Sequence, residues 1–262
     1  MIKGKELIRY VSLYLKNLNI IMPCLNIIIM HFCNFVLKNL VHYDLSRKVI
    51  IKIFGDVKVR YFSGLSFEQI LFRGYERHPN YTPKRGDIIV DVGAFVGLYS
   101  LKAAKSGALI ISVEPNPVSF TWLCENIKLN NFGNVIPINI TLSDHEGFGY
   151  LNIVDKRMPS SLAHISRADM PNVVRIKLTT LDSLIKSLNL SRVDIMKVDV
   201  EGHELEVLKG CQNSLRKKLI SKLIVEVHTP VRVRLLGITQ LLKSYRYKID
   251  GIFEGVLYTR AK

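Results

Sequence analysis

The sequence predicts an α/β fold in which a mostly parallel sheet carries helices on both faces. A short apolar strand, residues 88–92, runs directly into a glycine-bearing turn and a helix. Apolar strands and helical segments then alternate towards the C-terminus, which is typical of right-handed β-α-β crossovers. A hydrophobic fraction of 48% in 262 residues is ample for a core. These three observations indicate one α/β domain with an extension.

The extension is predicted to be residues 1–82, a hydrophobic helical segment and a β-hairpin, and the α/β domain residues 83–262. Residues 17–37 carry no formal charge and are long enough to span a membrane. Pro23 and the polar residues of this run would be costly in hydrocarbon. Packing on protein, peripheral membrane attachment and a true span all remain open. Two β-rich runs, residues 49–54 and 57–62, predict the hairpin, with a turn at Gly55 and Asp56.

The net charge limits the kinds of binding partner, and the cysteine content indicates the cellular compartment. A net charge of +15 and a pI near 9.7 favour anionic partners such as RNA, acidic glycans or an anionic membrane surface. The charge is spread along the chain, so a generally basic surface is an equal interpretation. The four cysteines form no Cys-x-x-Cys pair, which indicates reduced thiols. We therefore expect a cytoplasmic protein, with peripheral membrane contact still open.

The turn after the first core strand is predicted to seat a nucleoside-type cofactor. Gly93 and Gly97 allow close backbone approach, and the following helix offers unpaired N–H groups and a positive dipole end. Asp91 stands at the strand end, but the dinucleotide fingerprint Gly-x-Gly-x-x-Gly is missing. Glu114, at the tip of the second strand, is placed to accept hydrogen bonds from both hydroxyls of a ribose. S-adenosylmethionine is the commonest cofactor of this type.

The remaining elements follow in order. Helices are predicted at residues 98–106, 117–130, 180–188 and 233–242, and strands at 109–113, 135–140, 147–154, 173–179, 193–198 and 219–227. Residues 247–252 and 255–259 predict a terminal hairpin. A long insertion, residues 155–172, separates two of the strands, and long loops in compact folds are usually functional or disordered.

An ordered set of motifs from about residue 81 to residue 228 resembles the FkbM family of S-adenosylmethionine-dependent methyltransferases. The motifs are Asp91-Val-Gly-Ala-Phe-Val-Gly, Val-Glu114-Pro-Asn-Pro, Glu125-Asn-Ile-Lys-Leu-Asn130, Leu142-Ser-Asp144, Thr180-Leu-Asp182, Lys197-Val-Asp-Val-Glu-Gly-His-Glu204 and Leu208-Lys-Gly210. The resemblance implies a Rossmann-like class I methyltransferase with a seven-stranded sheet whose last strand is reversed. It also implies that the insertion takes part in acceptor recognition.

The combined predictions for cofactor contacts are Tyr81, Asp91, Gly93, Ala94, Gly97, Glu114, Asn116, Ser143, Asp144 and Asp199. For two of them a structural role is an equal alternative. Tyr81 precedes the first core strand, where such methyltransferases often use an aromatic residue, but it could equally be a packing residue. Asp144 could accept from the adenine amine or close an Asx turn.

The chemistry is predicted at the carboxyl ends of two neighbouring strands, where open α/β sheets bind ligands. The candidate catalytic residues are Asp199, Glu201, His203, Glu226 and His228. Methyl transfer to a hydroxyl needs an aligned nucleophile and a base, and carboxylates and histidines are the available bases. The same acids and His228 could hold a divalent ion, but their spacing matches no stringent ligand motif, so a metal is possible but not favoured. Lys197, inside an apolar strand, needs a carboxylate partner.

The resemblance implies O-methylation of a sugar or polyketide hydroxyl, and we favour a glycan, glycolipid or related small molecule. An anionic or lipid-linked acceptor is compatible with the positive charge and the uncharged N-terminal run. Two alternatives stay open. The Glu114-Pro-Asn-Pro motif also resembles tRNA guanine methyltransferases, and the net charge suits phosphate. A non-catalytic membrane or partner-binding module that retains the fold is the other.

Overall fold

A computed structural model describes residues 50–53, 56–60, 75, 78–153, 159–160, 164–228 and 231–262. The chain forms two compact units, Met1–Gly74 and Tyr75–Lys262. The predicted membrane-length segment, residues 17–37, lies outside the described residues. Within the part that is described, no helix has both the length and the apolar composition needed to cross a membrane.

The described part of the first unit is a β-hairpin. Strands β1 (Ile50–Ile53) and β2 (Val57–Arg60) pair antiparallel, with Ile50 opposite Arg60. Along β2 the buried Val57 and Val59 alternate with the exposed Lys58, which is the period-two pattern of a half-buried strand. The predicted hairpin is confirmed.

The second unit is built on a seven-stranded sheet. Its strands are β3 (Ile88–Val92), β4 (Leu109–Val113), β5 (Val135–Ile138), β10 (Val193–Val198), β11 (Ile220–Glu226), β12 (Tyr247–Phe253) and β13 (Val256–Ala261), in the order β12-β13-β11-β10-β3-β4-β5. β13 lies antiparallel to both of its neighbours. The predicted terminal hairpin and reversed last strand are confirmed. The predicted third core strand is shorter than expected, because it ends at Ile138.

Helices cover both faces of this sheet. They are α1 (Leu98–Ala104), α2 (Pro117–Asn130), α3 (Leu181–Ser187), α4 (Glu204–Lys209), α5 (Gln212–Arg216) and α6 (Val231–Ser244), and a 3-10 turn spans Pro79–Tyr81. Neighbouring residues on β3 face opposite sides. Ile89 packs in a cluster with Ala103 and Ala104 of α1, whereas Val90 packs in another with residues of α3 to α6. The predicted doubly covered sheet is confirmed.

A second, four-stranded sheet is inserted between β5 and α3, and we call it the insertion sheet. Its strands are β6 (Thr141–Leu142), β7 (Gly147–Asn152), β8 (His164–Ser166) and β9 (Val173–Thr179), in the order β6-β9-β7-β8. The predicted strands at 147–154 and 173–179 are confirmed. The expected long loop at 155–172 is wrong in part, because β8 lies within it and pairs with β7.

The strand order reverses between β3 and β10, which are parallel neighbours. The turn after β3 lies so close to β10 that a Cβ on Gly93 would stand 1.8 Å from the Asp199 carbonyl oxygen. Gly93 also has a φ of 76°, in the left-handed region. The close approach seen at Gly93 is therefore to the backbone of the neighbouring strand, and it brings the two strand ends together.

Candidate functional site

A cavity of about 650 Å³, measured out to its open mouth, lies at this point of reversal. It is lined by Val92, Gly93, Phe95, Val113, Glu114, Pro115, Ile140, Thr141, Leu142, Leu151, Ser160, His164, Ile165, Asp199, Val200, Glu201 and His203. The lining comes from the ends of three core strands, from the start of α4 and from the insertion sheet. Open α/β sheets bind ligands at such a crevice.

Glu114 is the buried acid of the cavity, with 6% of its surface exposed. Its Oε2 accepts a hydrogen bond from the Phe95 N–H at 2.7 Å, and its Oε1 accepts one from the Asn116 N–H at 2.9 Å. Burial raises the pKa of Glu114 to about 7, although the two backbone N–H groups favour its charged form. A carboxylate has about four lone-pair sites, so Glu114 has capacity for two further donors.

Thr141, which the sequence analysis missed, presents a second polar atom to this end of the cavity. Its Oγ1 is buried and has no hydrogen-bond partner among the residues that the structure describes. An unsatisfied buried hydroxyl costs stability unless a ligand or water completes it. The apolar neighbours Ile140 and Leu142 flank it on the cavity wall. The one signal in the sequence was its position just before the Leu142-Ser-Asp144 motif.

Lys197 finds the carboxylate partner that its place in an apolar strand required. Its Nζ lies 3.0 Å from Asp91 Oδ1 and 3.6 Å from Asp199 Oδ2, and it donates to the Gly93 carbonyl at 2.8 Å. Burial lowers the pKa of Lys197, but the charges of Asp91 and Asp199 outweigh it and the pKa is raised. The other Asp91 oxygen accepts from Ser100 Oγ at 2.5 Å. The pair of Asp91 and Lys197 thus holds the turn after β3 in place through the Gly93 carbonyl.

Tyr75 joins two of the predicted catalytic carboxylates, and no sequence motif had marked it. Its hydroxyl lies 2.7 Å from Asp199 Oδ2 and 2.6 Å from Glu226 Oε2. Burial, followed by the charges of these two acids, raises the pKa of Tyr75 well above its usual value. The phenol therefore stays protonated and donates a hydrogen bond to the two carboxylates.

Asp199, Glu226 and His228 form a group of possible metal ligands. Their ligand atoms lie within 4.8 Å of one another, and a divalent ion accepts such a donor set.

His228 is held among acids. Its Nδ1 lies 2.7 Å from Glu204 Oε1, while its Nε2 lies 3.6 Å from Asp199 Oδ1 and 3.4 Å from Glu201 Oε2. Burial lowers the pKa of His228, but the Glu204 hydrogen bond and the charges of Asp199 and Glu201 raise it to about 8. The imidazole is thus mostly cationic at neutral pH. Glu204 also pairs with Arg234 at 3.3 Å.

His203 has the opposite character. It lines the cavity at the start of α4, with Nε2 2.9 Å from Ser143 Oγ and Nδ1 3.7 Å from Glu206 Oε2. Burial lowers the pKa of His203, and the charges of Glu206 and Asp144 only partly oppose this. His203 is therefore neutral at pH 7 and able to accept a proton.

The predicted site residues divide by position. Gly93, Glu114, Asp199, Glu201 and His203 line the cavity. Asp91, Ala94, Gly97, Asn116, Ser143, Asp144, Glu226 and His228 are not among the lining residues and belong to the surrounding structure.

Three of these surrounding residues, and also Tyr81, have evident structural partners. Gly97 begins α1, and a Cβ there would stand 2.6 Å from Leu123 Cδ1. The Asn116 side chain accepts from the Val118 N–H at the start of α2, and the exposed Asp144 pairs with His145 at 2.6 Å. Tyr81 is fully buried, packs edge-on against Tyr258 and donates to Asp250 at 3.0 Å. Cofactor contact by these residues remains a prediction.

Comparison with known proteins places the chain among methyltransferases. The model of the methyltransferase FkbM domain matches residues 91–249. The hexuronic acid methyltransferase AglP of Haloferax volcanii is 33% identical over 164 residues, which are 63% of this chain and 64% of that protein. A tRNA(Phe) (4-demethylwyosine(37)-C(7)) aminocarboxypropyltransferase of Methanocaldococcus jannaschii is 36% identical over 72 residues, 27% of this chain and 28% of its own. The crystal structure of a SAM dependent methyltransferase from Aquifex aeolicus superposes with a TM-score of 0.46 at 13% identity, over 76% of this chain and 95% of that chain.

The strand order, the reversed last strand and the cavity at the point of reversal define a Rossmann-like class I methyltransferase fold. The family match covers more than half of the sequence, and the chain belongs to the FkbM methyltransferase family. The chain spans 64% of the length of AglP.

Proposed function

We propose that this protein is an S-adenosylmethionine-dependent O-methyltransferase that acts on a hydroxyl of an acidic glycan. The observation that carries the proposal is Glu114, a buried carboxylate at the tip of the second core strand inside a cavity at the sheet's point of reversal. Membership of the FkbM family supports methyl transfer. The similarity to a hexuronic acid methyltransferase supports an acidic sugar as the acceptor. Residues 83–262 form the catalytic domain in this proposal, and residues 1–82 its extension.

The cavity residues fit the cofactor. Glu114 keeps lone pairs for the two ribose hydroxyls, and Thr141 Oγ1 offers a buried atom to which no residue of the described chain is hydrogen-bonded. Ile140 and Leu142 supply apolar surface for the adenine ring. S-adenosylmethionine, when bound, supplies a methyl group on a positively charged sulfur.

The chain's own residues then handle the acceptor and its proton. His203 is the base in this proposal, because it lines the cavity and burial keeps it neutral. The carboxylate of Glu206 faces Nδ1 and favours the proton there, which leaves Nε2 to accept from the acceptor hydroxyl. The Ser143 hydroxyl lies against Nε2 in this structure, and it also lies 3.2 Å from Asp144 Oδ1. It can therefore turn to Asp144 when the acceptor hydroxyl takes its place at Nε2. Asp199 and Glu201, held by cationic His228, orient the other sugar hydroxyls.

We expect His203→Gln to lower kcat by about 100-fold or more, because a positioned base contributes about that factor. The wild-type kcat should fall as the pH drops below the pKa of His203, which lies below its usual value, and the variant should lose this dependence. The measurement is kcat against pH with both the acceptor and S-adenosylmethionine in excess. Lys186→Gln, an exposed charged residue of α3 that contacts neither His203 nor Ser143, is the control. An acid limb that persisted in the variant would assign the base to Asp199 or Glu201 instead.

The function itself is tested by transfer of a radiolabelled methyl group from S-adenosylmethionine. The full chain is incubated separately with oligogalacturonate, a neutral oligosaccharide of equal length, and bulk tRNA. Treatment of the labelled acidic sugar with base then identifies the methylated oxygen. A methyl ester on a carboxylate releases the label as methanol, whereas a methyl ether on a hydroxyl is stable. The proposal expects the stable ether. Label in tRNA would favour the RNA alternative, and no adenosyl cofactor binding at all would favour the non-catalytic module.

A further inference from the structure

The insertion sheet has two faces of different character. Leu151, Ile153, Ile176 and Leu178 are buried together on its inner face, and Leu151 lines the cavity. Residues that alternate with these point the other way, towards solvent. The side chains that we call the outer face are Phe148 and Tyr150 of β7 and Arg175 and Lys177 of β9, all exposed. They share a face because Phe148 is opposite Lys177 and Tyr150 is opposite Arg175.

The outer face carries two exposed aromatic side chains, although the solvent-facing side of a sheet is usually polar. Phe148 is 63% exposed and Tyr150 is 37% exposed. The Arg175 guanidinium carbon lies 3.8 Å from the centre of the Phe148 ring, so the cation lies over the aromatic face. Solvent-exposed aromatic rings beside a guanidinium are typical of binding surfaces.

Charge determines which ligand suits this surface. The sequences of β7, β8 and β9 contain two cations, Arg175 and Lys177, one histidine and no acid. Among the described acids that flank these strands, Asp169 pairs with Arg167 and Glu146 accepts a hydrogen bond from Ser183. The face therefore attracts anions. RNA binding usually engages about six to ten phosphates, whereas two cations suit a ligand with few, spaced carboxylates.

The outer face also borders the cavity. The edge strand β8 carries His164, which is exposed, lies opposite Asn152 of β7 and lines the cavity. A chain that leaves the cavity past His164 reaches the outer face around one strand edge. An extended polymer fits this path better than a single sugar does.

We propose that the outer face is a secondary binding site for the acidic sugar residues that flank the methylated one, with Phe148 and Tyr150 packing on sugar rings and Arg175 and Lys177 pairing with uronate carboxylates. This proposal deepens the proposed function and rests on it for the identity of the acceptor. It assigns two tasks to the insertion sheet, since its inner face shapes the cavity and its outer face holds the polymer.

The test is the fluorescence anisotropy of a labelled oligogalacturonate titrated with the full chain at low salt. Combined Phe148→Ala and Arg175→Ala should weaken binding by about tenfold, since each exposed contact contributes a few-fold. Combined Phe253→Ala and Lys186→Ala removes an exposed ring and an exposed cation elsewhere, and it should leave binding unchanged. A neutral oligosaccharide of the same length should not displace the probe.

Three results would overturn the proposal: equal weakening in both double variants, no weakening in either, or displacement by single-stranded RNA at a lower concentration than by unlabelled oligogalacturonate. Calorimetry with S-adenosylhomocysteine on the same proteins separates this proposal from the proposed function. Cofactor binding should be unchanged in the outer-face variant. A wild type that binds oligogalacturonate but not S-adenosylhomocysteine would sink the methyltransferase proposal and leave the surface in place.

Discussion

Replacing Lys197 by methionine should destabilise the second unit by about 3–5 kcal/mol, because breaking a buried pair leaves an uncompensated charge. Asp91 is fully buried and would keep Ser100 as its remaining hydrogen-bond donor. The Gly93 carbonyl would lose its contact with Lys197 as well. Against a typical unfolding free energy of about 5–15 kcal/mol, this is a large fraction. Urea unfolding followed by the fluorescence of buried Trp122, the single tryptophan, measures it.

Two further variants make the Lys197 result specific. Adding Asp91→Asn to Lys197→Met removes the orphaned charge and should restore part of the lost stability. Arg167→Ala breaks the exposed pair with Asp169 and should change stability by less than about 1 kcal/mol. A Lys197→Met protein as stable as the wild type would overturn the inference that the contact between Lys197 and Asp91 stabilises the fold.

The affinity for S-adenosylhomocysteine should rise with pH and level off above about pH 7. Burial raises the pKa of Glu114 to about 7, and the ribose hydroxyls need the ionised carboxylate as acceptor. Below this pKa the carboxyl of Glu114 is protonated in the free protein and must lose that proton when the cofactor binds. The affinity should therefore fall about tenfold for each pH unit below the pKa. Calorimetry at pH 6 and pH 8 should therefore differ by about that factor.

Glu114→Gln keeps the shape of the side chain but removes its charge and one acceptor. Hydrogen bonds to charged groups contribute about 1.5–3 kcal/mol, so affinity at pH 8 should fall about 10-fold to 100-fold. The difference between pH 6 and pH 8 should disappear in this variant. Glu254→Gln, on the exposed turn between β12 and β13, should behave as the wild type. A pH dependence that survived in Glu114→Gln would assign it to another group, with His203 the first to examine.

Local pattern was enough for most of the architecture. Core strands such as β4 and β10 and the helix α2 have the predicted bounds, because their apolar periodicity and the cap at Asn116 lie within the segments themselves. Strand β8 was missed because it is three residues long and is stabilised by pairing with β7, not by its own pattern.

The sequence by itself determined the fold class, the turn at Gly93 and the strand-end acid at Glu114, since strand period, glycine position and strand-end acids are local features. The tertiary structure alone decided which polar groups meet. Tyr75 reaches Asp199 and Glu226 across 124 and 151 residues, and His228 meets Glu204 across 24. The pKa of His203 is lowered and that of His228 is raised, and both shifts follow from burial and from these long-range contacts. Long-range pairing depends on how the strands are ordered and packed, and no local pattern encodes that.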